Sequence, residues 1–265
     1  MEKEMTKEMV LDKEIGKIQT TSGTSDTSMR NAAIVAGSSL LIMAIVAGFA
    51  VGFVFDSLIV PGDAAATANN VQASESLFRA GIFSWLVILI LDVLVAWGLY
   101  VFLRPVNKHL SLLSGWLRLA YTAVLGVALL NLVFVLLLSS GADYLKAFES
   151  AQLQALVLLF LNAFDGIWSI GLVIFGLHLL VLGYLVLKSG YIPKILGILL
   201  VIAAFGYLIT DGANLLLPNN EAFISTLEMI FMLPMIVGEV GLALWLLFKG
   251  QKVQPADYRA LETAQ

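Results

Sequence analysis

The sequence contains no cysteine, and this absence excludes several kinds of chemistry at once. Disulfide bonds, thiolate catalysis, iron–sulfur clusters and cysteine zinc sites all require that residue. Histidine is almost as scarce, because only His109 and His178 occur among the 265 residues. A metal site built from several histidines would therefore need more than one chain. The sequence predicts no cofactor.

Charge is also scarce. Charged residues make up 13% of the chain, whereas hydrophobic residues make up 60%. Soluble domains are usually about 45–50% apolar, and a soluble domain of this length would need more charges to cover its surface. The chain lacks a phosphate-binding loop, a zinc-protease motif and a basic stripe for nucleic acid. We therefore predict an integral membrane protein whose partner is the lipid bilayer and not a nucleic acid.

Six apolar runs reach or exceed the roughly 20 residues that a helix needs to cross a bilayer. The clearest pair, Ile167–Leu187 and Ile192–Leu216, is joined by the short basic segment Lys188–Lys194, which predicts a transmembrane helical hairpin. The fold class predicted is all-α, a polytopic membrane bundle. The six predicted spans are Asn31–Asp56, Ala80–Leu103, Arg118–Ser139, Gln152–Leu187, Ile192–Leu216 and Leu227–Phe248.

The predicted domain organisation has three parts. Residues 1–30 form a polar, flexible tail, residues 31–250 form the six-helix domain, and residues 251–265 form a second tail. The first apolar run resembles a cleavable signal, but signal peptides have apolar regions of roughly 7–15 residues, so we expect a retained helix. The predicted connectors are Ser57–Phe78, Val106–Leu117 and Ser140–Gln152.

The distribution of positive charge predicts an orientation. In this arrangement, only Arg79 and Lys146 lie on one side of the membrane, and the other 13 of the 15 Lys and Arg residues, Arg118 among them, lie on the opposite side. Positively charged residues concentrate in cytoplasmic loops. The sequence therefore predicts a multi-pass protein of the cell membrane with both termini in the cytoplasm.

Polar residues inside the spans fall into two layers. A charge in a membrane helix is costly, so each is a functional-site candidate. Asp92, His178 and Glu239 lie ten to twelve residues from a basic boundary, about 15–18 Å deep at the rise of an α-helix. We expect no Lys or Arg at that depth, so at least one of the two carboxyls should be protonated or hold a cation. The outer layer comprises Asp165, Asp211, Asn214 and Glu228.

Helical spacing predicts which side chains share a face. Trp85 and Asp92 share a face of the second span, and a polar stripe runs along one face of each of the last two spans. We expect these stripes to line one cavity. In the fourth span, small and polar residues repeat every seven positions and predict a packed face opposite His178. The stripes are Tyr207, Asp211 and Asn214 in the fifth span and Glu228, Met235 and Glu239 in the sixth; the repeat is Asn162, Ser169, Gly176 and Gly183.

Each candidate also has a structural interpretation. His178 is as well explained by a single hydrogen-bonded histidine as by a ligand or proton-handling role. Asp92 and Glu239 would be protonated and form hydrogen bonds between helices. Asp165, Asp211 and Glu228 would be ordinary interfacial carboxylates.

Three stretches carry a resemblance to a known family: Glu75–Gly81, Phe175–Gly197, and Glu239 followed by Leu244–Gly250. They resemble the prokaryotic integral membrane family called domain of unknown function four-three-eight-six, over about residues 30–250. The resemblance implies a six-helix bundle. It supplies no catalytic residues, because the family has no established activity.

Three functional hypotheses follow from these residues. The first is binding or transport of a small solute, a cation or a proton, with Asp92 and Glu239 handling the charge, His178 tuning them and the outer carboxylates forming an entrance. The second is a non-catalytic sensor or accessory subunit. The third is a membrane enzyme or haem protein that uses His178 as an axial ligand. The sequence does not decide whether the protein is an enzyme, and it carries no signal for the oligomeric state.

Overall fold

A computed structural model describes residues 28–217 and 220–253 of the chain. Six of its helices are long and apolar enough to cross a membrane, which confirms the predicted all-α bundle. The predicted tails lie almost wholly outside the described residues. The helices are α1 (Ser28–Leu58), α2 (Ala64–Ala73), α3 (Glu75–Leu103), α4 (Lys108–Leu138), α5 (Ser150–Lys188), α6 (Lys194–Leu216) and α7 (Glu221–Phe248), and all except α2 are candidate spans.

The connector predicted at Val106–Leu117 is wrong. The Asn107 side chain accepts a hydrogen bond of 2.9 Å from the backbone N–H of Leu110, which is the usual way an asparagine starts a helix. Helix α4 therefore begins at Lys108, ten residues before the predicted boundary at Arg118. This shift places Arg118 about 15 Å into the helix, at a rise of about 1.5 Å per residue.

The other two connectors contain short helices. Within Ser57–Phe78, Asp63 caps α2 by accepting a hydrogen bond from the backbone N–H of Ala66. The segment Ser140–Gln152 includes a 3-10 helix at Asp143–Ala147. Helix α5 begins at Ser150, two residues before the predicted start of this span at Gln152.

Helix α5 is the centre of the bundle, because it packs along α4 on one side and along α6 on the other. Its glycines allow the close approach to α6: a Cβ on Gly176 or Gly183 would lie 3.0 Å from the backbone oxygen of Ala204 or Gly197. The predicted packed face of this span is thereby confirmed. The turn from α5 to α6 is tight, and it needs the left-handed conformation of Gly190, whose φ is +74°.

Helix α1 packs closely along only part of its length. A Cβ on Gly37 would lie 2.9 Å from the backbone oxygen of Ala243 in α7, and one on Gly98 of α3 would lie 2.8 Å from that of Ala32. Further along, a Cβ built on Gly48 or Gly52 would have no atom of the described residues within 4 Å. The small residues of this span therefore mark close packing near its start, and the later glycines face open space.

An aromatic cluster fills the bundle where the far half of α1 meets α3 and α5. The Phe55 ring lies 5.8 Å from that of Phe164, and the Trp85 ring lies 4.6 Å from that of Trp168. Phe55 belongs to a π-helical stretch of α1, Ala50–Phe55, that packs on α3. Two of these rings, Trp85 and Trp168, line a cavity inside the bundle.

Candidate functional site

Arg118 is the centre of the buried polar site. It is 2% exposed and lies ten residues into α4, about as deep as Asp92 and His178 are in their own helices. The expectation that no Lys or Arg lies at this depth is therefore wrong. Arg118 also has to be removed from the 13 basic residues assigned to one side of the membrane.

Arg118 forms a buried ion pair with Asp92. Its Nη2 lies 2.6 Å from Oδ1 of Asp92, and its Nε donates to the same oxygen at 2.9 Å. Asp92 therefore has a cationic partner, contrary to the expectation that no Lys or Arg lies at its depth. Since both contacts use Oδ1, the second oxygen, Oδ2, is buried and has no hydrogen-bond partner among the described residues.

His178 supports the guanidinium from the opposite side. Its Nε2 lies 3.3 Å from Nη1 of Arg118, and its Nδ1 lies 2.9 Å from the backbone oxygen of Ser114. Arginine can only donate, so Nε2 must be the acceptor and Nδ1 must carry the proton. Both ring nitrogens of this neutral imidazole are occupied, which leaves neither free to be an axial haem ligand.

The Phe175 ring completes the enclosure of Arg118, whose guanidinium carbon lies 5.3 Å from the ring centroid. An arginine over an aromatic face gains a cation–π attraction that is strongest when water is absent. The guanidinium is therefore held by a carboxylate, an imidazole and a ring from α3 and α5.

A cavity of about 160 Å³ opens beside this ion pair. We call it the Arg118 cavity. Its polar side is formed by the ion pair, Glu239, Tyr121 and two indoles, and its apolar side is formed mainly by α1. His178 is not among its lining residues, because it lies behind Arg118. The polar lining residues are Trp85, Asp92, Arg118, Tyr121, Trp168 and Glu239.

A second, larger cavity of about 1,080 Å³ lies between α5, α6 and α7. We call it the acidic cavity, because its lining includes three carboxylates and, among the described residues, no Lys or Arg. All four residues of the predicted outer layer line it: Asp165, Asp211, Asn214 and Glu228. Asn214 donates a hydrogen bond of 2.9 Å to Ser169 Oγ, which fixes its amide against α5.

The polar stripes therefore line two cavities instead of the single one predicted. One hydrogen bond connects them: the Tyr207 hydroxyl, which borders the acidic cavity, donates to Oε1 of Glu239 at 2.9 Å, and Glu239 borders the Arg118 cavity. Trp168 lines both cavities. The two predicted layers thus meet at Tyr207, Glu239 and Trp168.

The missed arginine did leave a signal in the sequence. Asn107 follows Pro105 and precedes an apolar run, which is a typical helix start. Beyond it, polar residues recur at intervals of three and four, the spacing of one helical face. Each of them is buried in the bundle: Ser111, Ser114, Arg118 and Thr122.

The carboxylates do not converge on a point. Within residues 28–217 and 220–253, no three His, Asp or Glu side chains are grouped so that they could hold a metal ion. The acidic residues are instead spread over the walls of a cavity large enough for a solute.

These features define a class: a polytopic helical membrane protein with a buried ion pair between its spans. Residues 35–250 match a domain of unknown function, DUF4386, and the chain belongs to that family. An uncharacterized protein of Archaeoglobus fulgidus is 38% identical over 173 residues, which cover 65% of this chain and 83% of that protein. No solved structure matches the chain.

Proposed function

We propose that this multi-span membrane protein binds and transports a small organic cation through the acidic cavity. The observation that carries the proposal is the composition of the cavity walls. Three helices contribute Asp165, Asp211 and Glu228 to one space of about 1,080 Å³, and no basic side chain of residues 28–217 or 220–253 lines it. A cavity lined by charge of one sign concentrates ligands of the opposite sign.

The apolar wall favours an organic cation over a bare ion. Met229, Met232 and Met235 of α7 line the cavity opposite the carboxylates of α5 and α6. Methionine is flexible and polarizable, so it adapts to apolar groups of different shape. An amine or quaternary ammonium with a hydrocarbon body would meet the carboxylates at its charge and the methionines at its body.

Within this proposal, Glu239 is the carboxyl that handles a proton. Asp92 is already paired with Arg118 at 2.6 Å, whereas Glu239 makes its direct hydrogen bond to the Tyr207 hydroxyl, a neutral group. A carboxyl without a bound cation can take up and release a proton at lower cost than one held in a buried ion pair. Tyr207 would relay the charge state of Glu239 to the acidic cavity.

We also propose that the protein resides in the cell membrane with both termini in the cytoplasm. Without Arg118, seven of the basic residues that the structure describes lie at the end of the bundle that holds the α3–α4 and α5–α6 turns, against Arg79 and Lys146 at the other end. The positive-inside rule assigns the first end to the cytoplasm. The acidic cavity, nearer the other end, would then open outward.

Binding to the purified full-length protein tests the proposal. Isothermal titration with a small quaternary ammonium ion should show saturable binding, and a neutral isostere of the same shape should not bind. Asp211→Asn and Asp165→Asn should each weaken binding about tenfold or more, since about 1.4 kcal/mol of lost attraction corresponds to a factor of ten. Uptake of the same cation into proteoliposomes should fall in parallel.

Asp143→Asn is the matched control, because Asp143 is an exposed carboxylate, 92% accessible, outside the cavity. It should leave binding and uptake unchanged. Equal binding of the cation and its neutral isostere, or full binding by the double variant Asp165→Asn and Asp211→Asn, would contradict the proposal. Binding without uptake would retain the site and favour the sensor hypothesis over transport.

A further inference from the structure

We infer that the Arg118 cavity is a second binding site, for a long-chain amphiphile with an uncharged hydroxyl head, which enters from the membrane between α1 and α7. This site is separate from the acidic cavity, and the inference does not depend on the proposed cation transport. Three features of the cavity carry it: unpaired buried polar atoms, an apolar wall that reaches the bundle surface, and a balance of charge at the floor.

Polar atoms without partners line the cavity. Asp92 is completely buried, yet its Oδ2 has no hydrogen-bond partner among the described residues, and the same holds for Nε1 of Trp85, which is 1% exposed. Buried polar groups in folded proteins are almost always paired. Because both residues line the cavity, an occupant that donates near Asp92 and accepts near Trp85 would satisfy them.

The rest of the wall is apolar and extends along α1. Leu40, Ala44 and Val51 all line the cavity, and Val51 lies eleven residues after Leu40, about 16 Å along the helix. Leu40 is buried, whereas Ala44 is exposed and Val51 is 39% exposed. The cavity therefore runs from a closed, polar floor to an opening on the surface of the bundle.

The opening lies where α1 and α7 separate. The two helices touch closely at Gly37 and Ala243, but a Cβ built on Gly48 has no atom of the described part of the chain within 4 Å. Glu239 and Val240 of α7 line the cavity just beyond that contact. A hydrocarbon chain lying along α1 would occupy this gap and continue into the membrane.

The charges at the polar floor of the cavity determine which amphiphile head group fits there. The floor pairs one positive group, Arg118, with one negative group, Asp92, at 2.6 Å, and Glu239 stands on the same wall. A carboxylate head would face two carboxyl groups, and an ammonium head would face the guanidinium. A hydroxyl donates one hydrogen bond to Asp92 Oδ2 and accepts one, and it adds no charge to a site where buried charge is costly.

Tryptophan fluorescence tests the inference, because two of the five tryptophans line the cavity. In full-length protein carrying Trp97→Phe, Trp116→Phe and Trp245→Phe, only Trp85 and Trp168 remain. Brominated dodecanol, added to this protein in phosphatidylcholine nanodiscs, should quench their emission saturably, and plain dodecanol should reverse the quenching. Dodecyl methyl ether, which cannot donate to Asp92, should compete at least tenfold more weakly, as should dodecanoic acid and dodecylamine.

Neighbouring positions on α1 supply matched variants. Ala44→Phe fills the mouth of the cavity and should abolish saturable quenching, whereas Ile45→Phe changes a side chain that is 75% exposed and should not. The inference is overturned if quenching is equal in both variants and rises linearly with the concentration of brominated dodecanol in the membrane, since water alone would then fill the cavity. Equal competition by the ether and the alcohol would overturn the assignment of the hydroxyl head.

Discussion

Burying the Arg118–Asp92 ion pair costs much free energy, and the pair has a specific geometry. Removing two charges from water is expensive, and their attraction repays this only when the contacts are close and the remaining hydrogen-bonding groups are satisfied. Here the 2.6 Å contact is supplemented by His178 and the Phe175 ring. Residues from α3, α4 and α5 are thereby fixed at one depth of the bundle.

Arg118→Met should destabilise the protein strongly, because it leaves the Asp92 carboxylate buried without a partner. Breaking a buried pair costs about 3–5 kcal/mol. The double variant Arg118→Met and Asp92→Leu removes both charges and should recover most of this loss. The free energy of unfolding, measured by denaturant titration in detergent, checks both values. Single and double variants of equal stability would show that the two residues do not interact.

Glu239→Gln should separate folding from proton handling. The glutamine keeps an Oε1 that accepts the Tyr207 hydrogen bond, so stability should change by less than about 1 kcal/mol, the typical net worth of one hydrogen bond. Uptake of the organic cation should lose its pH dependence, because the amide cannot ionise. Proteoliposome uptake across a pH series measures this.

Glu75→Gln is the control for that series, since Glu75 is a surface carboxylate paired with Arg79 at 2.6 Å. It should retain the parent pH profile. If Glu239→Gln transports with an unchanged profile, Glu239 is structural and the proton-handling role is wrong.

For single residues, the sequence predicts how deep a side chain lies in the membrane better than it predicts which side chains it contacts. Counting residues from the basic boundaries predicts that Asp92, His178 and Glu239 lie near one depth, and the structure brings Asp92 and Glu239 to one cavity. The buried position of Arg118 is not predicted in this way, because a basic residue at the start of an apolar run looks like the end of a membrane span. The helix cap at Asn107 and the buried polar residues spaced along the helix after it distinguish the two interpretations.

Among the elements, helix ends account for most differences between expectation and structure. Hydropathy identifies only the apolar part of a helix. In α4, ten residues of polar and mixed character precede that part. The same holds for α3, which begins at Glu75 and not at Ala80. Caps such as Asn107 are local hydrogen bonds, so an average over a long window does not register them.

Close helix contacts predict a contrast between two glycines. Gly98→Ala should destabilise the bundle by about 1–3 kcal/mol, the usual cost of overpacking, because its Cβ would lie 2.8 Å from the Ala32 carbonyl oxygen. The new Cβ of Gly48→Ala meets no described atom within 4 Å, and alanine favours helix over glycine, so stability should hold or rise. Thermal unfolding in detergent compares the two. Equal losses would show that α1 is packed evenly along its length.

The whole molecule brings both ends of its described chain together. Six candidate spans are an even number, and a Cβ on Gly250, just after α7, would lie 3.5 Å from Ala33 near the start of α1. The topology was predictable because six runs and their basic turns are strong signals in composition. The division of the polar interior into two cavities was not, since it depends on where Trp168 and Tyr207 pack between helices.

Orientation is tested by labelling single cysteines, which is clean because the chain has none of its own. Cysteines at Asn69 and Asp143 should react with an impermeant maleimide from outside intact cells, and those at Lys108 and Lys188 should react only after permeabilisation. All four positions are exposed in the structure, so burial cannot imitate protection. The expectation follows from the excess of basic residues at the Lys108 and Lys188 end. The reverse pattern would place both termini outside, and labelling at Lys188 but not at Lys108 would break the six-span topology.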